Sequence, residues 1–242
     1  NAEFLYNSLR RENGRLLRSW QADAGARYNG YLEDYACLAD GLLALYQATF
    51  DTRWFVWARE MADQMLAHFG DKAGGFFDTS DDHEELLHRP KDVQDNATPS
   101  GNSMAAHVML ALNLYTGEGR YWDAAEPSIA ALVEPRARYP GAFAHWLCAA
   151  EFIHSEPQEI AIAGDPATAD TRALIAVVNS RFRPAVIVAA GVDDGSIPLL
   201  ANRPKINDRA TAYVCRRFVC LYPVDTPEGL AEQVDGPGHG DG

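Results

Sequence analysis

The sequence has no apolar stretch approaching the roughly 18 uncharged residues that a membrane helix needs, so a membrane span is excluded. It is short of positive charge. Its 21 Lys and Arg face 34 Asp and Glu, a formal net charge of -13. Such a surface repels phosphate backbones and anionic lipids, which argues against nucleic-acid and membrane-surface partners. Cysteine is sparse, at positions 37, 148, 215 and 220, and no two are two residues apart as in C-x-x-C. The expectation is reduced thiols in a reducing, cytoplasmic compartment. Cys215 and Cys220, five apart, would lie on opposite faces of a straight strand, so a bridge between them needs a turn or bulge. No H-E-x-x-H, no glycine-rich phosphate loop and no G-x-S-x-G occurs, so no metal, cofactor or nucleophilic serine is assigned. There is no signal peptide and residue 1 is Asn, so the chain reads as a fragment or processed form.

What is present is a folded globular composition, 47% hydrophobic over 242 residues, which allows one large domain or two modest ones. The texture changes near residue 156. Before it, helical patterns span Glu33–Ala48, the stretch from Trp54 to Gly70, Asn102–Thr116, Tyr121–Val133 and Ala142–His154. The Asn102–Thr116 stretch contains no charge, so that helix should be buried on all sides. Two hairpins are expected: Arg15–Trp20 with Arg27–Tyr31, and Gly74–Thr79 with Arg89–Val93. Helix, hairpin and buried helix thus recur with a period of roughly 65–70 residues, Leu45-Tyr46 being answered by Leu114-Tyr115, which suggests a ring of helix pairs.

After residue 156, Glu159–Gly164 and Ala185–Val192 read as strands on either side of a helix at Asp170–Phe182. That order implies a parallel pair with a crossover. Ala210–Pro223 reads as a third strand or hairpin. A last helix starts at Pro227 with Thr226 as its cap. The expected domains are 1–155, mainly α, and 156–235, a small α/β unit, with 236–242 a disordered tail.

Several segments carry a resemblance. Gly30-Tyr31-Leu32-Glu33-Asp34-Tyr35-Ala36, Leu45-Tyr46-Gln47-Ala48-Thr49-Phe50-Asp51, Gly74-Gly75-Phe76-Phe77-Asp78-Thr79 and Arg89-Pro90-Lys91-Asp92 are four of them. Pro99-Ser100-Gly101-Asn102-Ser103, Gly164-Asp165-Pro166 and Ala210-Thr211-Ala212-Tyr213-Val214-Cys215 are three more. Together they resemble the spermatogenesis-associated protein 20 family, also called thioredoxin-domain-containing DUF255 proteins. The resemblance implies a fold that is mainly α: part of an (α/α)6 toroid of the six-hairpin glycosidase type, related in fold to N-acylglucosamine 2-epimerases, then a small α/β C-terminal unit. It also implies an N-terminal thioredoxin-like domain and a further part of the toroid that this chain does not contain, so that the chain is a C-terminal half.

Two functional classes follow. The first is a carbohydrate-active toroid, glycosidase- or epimerase-like, working by general acid/base catalysis on a sugar ligand. Asp34 and Asp95 hold equivalent places in the repeat, after a hairpin and before a buried helix, and are the candidate catalytic carboxylates. Around them Tyr31, Glu33, Asp78, Glu84, Arg89, Lys91, Asn102 and His107 are candidate substrate contacts. Asp34, Arg89 and Asp95 are expected to converge on one cavity, with Arg89 offsetting the repulsion of the two acids. A structural role stands beside each of these. Asp34, Ser100 and Asn102 suit helix capping, His107 suits a hydrogen-bonded core position, and the acids from Asp71 to Asp95 suit a solvated loop. The second class is a non-catalytic scaffold or protein-binding module that supports the thioredoxin-like domain.

Overall fold

The computed structural model describes residues 1–83 and 87–236; Glu84 and residues 237–242 of the expected tail lie outside the described residues. Helices dominate, so the mainly α class is observed. The chain divides into two compact units. One comprises Asn1–Tyr46, Arg53–Asn113 and Glu118–Glu151, the other Gln47–Thr52, Leu114–Gly117 and Phe152–Gly242.

The first unit is built on helices α1 (Ala2–Leu9), α2 (Leu32–Thr49), α3 (Thr52–His68), α4 (Gly101–Thr116), α5 (Gly119–Ala130), α6 (Val133–Arg138) and α7 (Ala144–His154). In α2, Leu32, Tyr35, Ala36, Ala39, Leu42, Leu43 and Tyr46 repeat at three- and four-residue spacing, and all are buried. In α3 the same spacing buries Trp54, Trp57, Ala58, Met61 and Met65. Each large side chain so enclosed contributes roughly 1.5–3 kcal/mol. The uncharged helix α4 is buried along nearly its whole length, as its composition requires.

One expected helix, Tyr121–Val133, is corrected. The chain breaks after Ala130 and restarts at Val133 as α6. Pro135 explains the restart. In a continuous helix its ring would clash with the carbonyl four residues earlier, whereas in the first turn of a new helix its missing N–H is no loss. Helix α1, which has no strong sequence signature, was not anticipated.

Strands β1 (Leu17–Gln21) and β2 (Gly25–Asn29) pair antiparallel, with Leu17 opposite Asn29. Gly25, at φ +69°, closes a three-residue loop. The hairpin is tied down next to α2, where Tyr35 Oη accepts from Leu16 N at 2.7 Å and from Arg15 Nε at 3.2 Å.

The second expected hairpin, Gly74–Thr79 with Arg89–Val93, does not form strands. Gly74 and Gly75, at φ +97° and +71°, fold Asp71–Gly75 into a tight turn. Of ladder bonds there remain a bridge between Gly70 and Phe76 and the bond from Asp78 N to Pro90 O. Proline has no N–H to return, and side chains take over the ladder's role. Asp78 accepts the Asp92 N–H, and Asn102 pairs with both backbone groups of Phe76.

In the second unit, β3 (Gln158–Ala163) and β4 (Val186–Gly191) pair in parallel, Ile160 opposite Val188, with helix α8 (Ala169–Asn179) between them in sequence. Strand β5 (Thr211–Arg216) pairs antiparallel on the other side of β3, and β6 (Val219–Cys220) turns back on β5, giving the order β4-β3-β5-β6. Every residue of β3 is buried, Gln158 and Glu159 included, and Ile160–Ala163 is the apolar run expected of a strand covered on both faces. Ile160, Ile162, Leu174, Val188, Val214 and Leu230 form the centre of its core. Helix α9 (Pro227–Asp235) is capped as expected, Thr226 Oγ1 accepting from Gly229 N at 3.2 Å, and Gly236 follows as its C-cap. The expectation of four reduced thiols is corrected: Cys215 and Cys220 form a disulfide, while Cys37 and Cys148 are free. The turn that the spacing demanded is Arg217-Phe218, both at positive φ, which brings Cys215 opposite Cys220.

Candidate functional site

Two helix N-termini meet in the first unit. A Cβ placed on Gly101, the first residue of α4, would come within 3.0 Å of Glu33 N and 3.2 Å of the Leu32 side chain. The absence of a side chain there lets the starts of α2 and α4 approach. Beside them opens a cavity of about 460 Å³, lined by Tyr31 and Glu33 at the start of α2, Ser100 and Gly101 at the start of α4, and Asp78, His83, Asp92, Gln94, Asn96 and Thr98 from the segment between α3 and α4. Helix N-termini carry partial positive charge, which offsets the cost of gathering three carboxylates in one place.

The three acids are in different electrostatic situations. Glu33 pairs with Arg18 of β1 at 2.8 Å. Asp78 accepts the Asp92 N–H at 3.0 and 3.1 Å. Burial, reinforced by the charges of Asp92 and Glu33, pushes its carboxyl above the ordinary range, although the Asp92 N–H pulls the other way. A carboxyl raised by burial beside another that is ion-paired to an arginine is an asymmetry of the kind acid/base chemistry uses. On the aromatic side Tyr31 and His83 stack with centroids 5.5 Å apart, and the Arg18 guanidinium lies 4.6 Å from the Tyr31 ring.

Asp34, Arg89 and Asp95 do not line this cavity. Asp34 accepts from Tyr31 N at 2.8 Å, the third residue of α2 reaching back to the residue before the helix, and meets Arg18 at 3.1 Å. Burial raises its carboxyl too, against the Tyr31 N–H and Arg18. Asp95 is buried. Oδ1 accepts from Ser100 N at 2.9 Å and Ser103 Oγ at 2.7 Å, and Oδ2 accepts from His145 N at 2.8 Å. It joins the starts of α4 and α7. Arg89 donates to the carbonyls of His68, at 3.2 Å, and Thr79, and its guanidinium lies over Phe77.

The remaining candidates divide in the same way. Tyr31, Glu33 and Asp78 line the cavity. Asn102 works from behind it: Oδ1 accepts from Phe76 N at 2.8 Å, and Nδ2 donates to the carbonyls of Phe76 and Asp92, each at 2.9 Å. It holds the segments that carry Asp78 and Asp92. Lys91 pairs with Asp71 at 3.1 Å and donates to the Gly74 carbonyl. His107 sits on α4 with its ring 5.4 Å from that of His145, and burial lowers its pKa. Tyr35 and Phe76 are core residues.

Sequence reasoning missed Arg18, His83 and Gln94 as participants. Arg18 was the most accessible of these, because Gly30 returns the hairpin to Glu33-Asp34, two acids that call for a hairpin arginine. His68, Asp81 and Asp82 also bring one ligand atom each within 4.8 Å of one another. Both Asp82 oxygens are taken by Arg15 and His68 Nδ1 meets Asp81 Oδ1 at 2.9 Å, so the group is closed by its own ion pairs.

No protein-family model matches the chain. Spermatogenesis-associated protein 20 of Rattus norvegicus and of Homo sapiens are each 34% identical to it over 230 residues, and that of Mus musculus is 33% identical. The alignments cover 89% of this chain but 29% of those proteins, so the chain spans less than a third of the relatives it matches. This likeness, running through nearly the whole chain, supports the spermatogenesis-associated protein 20 family.

Proposed function

We propose that the cavity is a carbohydrate subsite of an acid/base enzyme of the glycosidase or sugar-epimerase type, on an (α/α)6 toroid to which this chain contributes one part. Asp78 is the proton donor and Glu33, ion-paired to Arg18, the opposing carboxylate. Tyr31 and His83 offer a ring platform to the apolar face of a sugar. Gln94, Asn96, Thr98 and Ser100 offer the amides and hydroxyls that polyhydroxyl ligands pair with. Asp34 and Asp95 move from catalysis to support. The observation that carries this reading is the raised Asp78 carboxyl set among polar side chains in a half-open cavity of about 460 Å³.

The test is a titration of the full-length protein with a panel of neutral mono- and disaccharides. Saturable binding is expected, weakened about tenfold or more by Asp78→Asn at an unchanged melting temperature. Where turnover is found, its acidic partner should titrate above the ordinary carboxylate range and vanish in Asp78→Asn. No saturable sugar, or binding indifferent to Asp78→Asn, rejects the reading.

The second reading, a non-catalytic scaffold for a thioredoxin-like domain, draws on one specific observation. Asp34, Asp95 and Asn102 spend their polar atoms on backbone groups, as in a unit built for rigidity. A rejected sugar panel leaves that scaffold as the function.

A further inference from the structure

Apart from the cavity, the second unit holds a group of reactive side chains that the proposed function does not use. Leu221 N donates to Val214 O at 2.8 Å. Hydrogen bonding alternates along an antiparallel pair, so Cys215 and Cys220 occupy the non-hydrogen-bonded position, where facing side chains come closest. The disulfide closes there. Its two sulfurs are unequal. Cys215 is wholly buried, opposite Glu159 of β3, whereas Cys220 is exposed on a two-residue strand.

Arg203 marks this bond out. Its Nη2 lies 3.5 Å from both sulfurs, and its Nη1 donates to the Leu199 carbonyl. It makes no ion pair among the described residues. Glu159, whose charge favours the cation, spends its oxygens on Phe218 N. Burial lowers the Arg203 pKa, so the cation is held there at a cost. A neutral disulfide sulfur is a weak acceptor and repays little of that cost. A thiolate would repay it.

We propose that Cys215–Cys220 is a thiol–disulfide exchange site for a dithiol reductant, attacked at Cys220, with Arg203 receiving the Cys215 thiolate. In the first step a thiolate of the dithiol bonds to Cys220 Sγ. The Cys215–Cys220 bond breaks and its electron pair goes to Cys215 Sγ, beside Arg203. In the second step the other thiol of the reductant, as thiolate, attacks its own sulfur in the mixed disulfide, and Cys220 leaves and takes a proton. The dithiol ends as a disulfide and the protein pair as two reduced cysteines, two electrons having been transferred. A lower leaving-group pKa speeds the first step, which is the advantage the guanidinium gives.

The experiment follows reduction of the air-oxidised chain by dithiothreitol, with alkylation and peptide mass mapping to separate this pair from Cys37 and Cys148. Reduction under native conditions is expected. It should slow about tenfold in Arg203→Met and less than threefold in Arg203→Lys, because the charge sets the leaving-group effect. Equal rates in wild type and Arg203→Met overturn the proposal, as does a disulfide that resists reduction until the chain unfolds. A second measurement uses wild type alone and does not depend on a variant folding. A brief pulse of glutathione, quenched by iodoacetamide, should leave glutathione on Cys220; adduct on Cys215, or free thiols at both positions in the air-oxidised protein, overturns it.

Discussion

Asp95→Asn should cost stability rather than chemistry. The native carboxylate is 7% exposed and receives three hydrogen bonds, from Ser100 N, Ser103 Oγ and His145 N. All three partners are donors. An asparagine offers one oxygen and one NH2, so whichever way its amide turns, a donor faces a donor. The milder orientation keeps Oδ1 on Ser100 and Ser103 and leaves the His145 N–H orphaned, at about 1–3 kcal/mol. The negative charge near the starts of α4 and α7 is also lost, at about 0.3–1 kcal/mol for each helix. Together these predict a loss of about 2–5 kcal/mol and a fall in Tm of roughly 4–20 °C for a chain of this size. Asp95→Ala should cost more, because all three donors lose their acceptor, although Ser103 Oγ retains the Ser100 carbonyl at 3.0 Å. The assay is thermal and urea unfolding followed by circular dichroism at pH 7. A Tm within about 2 °C of wild type for Asp95→Asn would refute the reasoning, and loss of activity at that intact stability would return Asp95 to the catalytic machinery.

Two further outcomes are expected. Asn102→Ala removes three hydrogen bonds at a residue 1% exposed; it should cost about 2–4 kcal/mol and loosen the 71–93 segment, seen as faster amide hydrogen exchange there and weaker sugar binding. Asp82, held down to about 2 chiefly by its bonds to Arg15, has a folded pKa below its ordinary value of 3.8. Its contribution is therefore present above about pH 4 and lost as pH falls from there to about 2; in Arg15→Met that part of the acid unfolding profile should flatten, and an unchanged profile would count against the pair.

The sequence shows the helices and the parallel strand pair because both are periodic. The i, i+3, i+4 spacing in α2 and the apolar run Ile160–Ala163 within β3 each report burial directly. It does not show what replaces a hydrogen-bonded ladder. The expected second hairpin has strand-like composition, but Pro90, Gly74 and Gly75 deny it a ladder, and Asn102, 26 residues on from Phe76, supplies the bonds. The candidate site was legible in part for the same reason. Tyr31 and Glu33, next to a helix start, line one cavity with Asp78. Asp34 and Asp95 occupy equivalent positions in sequence, but the two positions differ in what they face. Asp34 meets a hairpin arginine, and Asp95 meets the backbone of a helix some 50 residues downstream. No local pattern carries that difference.

The register of β3 sets an order of events during synthesis. As the chain leaves the ribosome, Gln158–Ala163 emerges first, with both edges open. Its partner Val186–Gly191 follows only after α8, and Gln158 meets Arg216 only when β5 has been made. A strand whose last four residues, Ile160–Ala163, are apolar, waiting for two later segments, is an adhesive edge for as long as it waits. A pause in translation between Gly191 and Thr211 would hold the nascent protein in its most aggregation-prone form, and a stop codon there would leave it in that form for good.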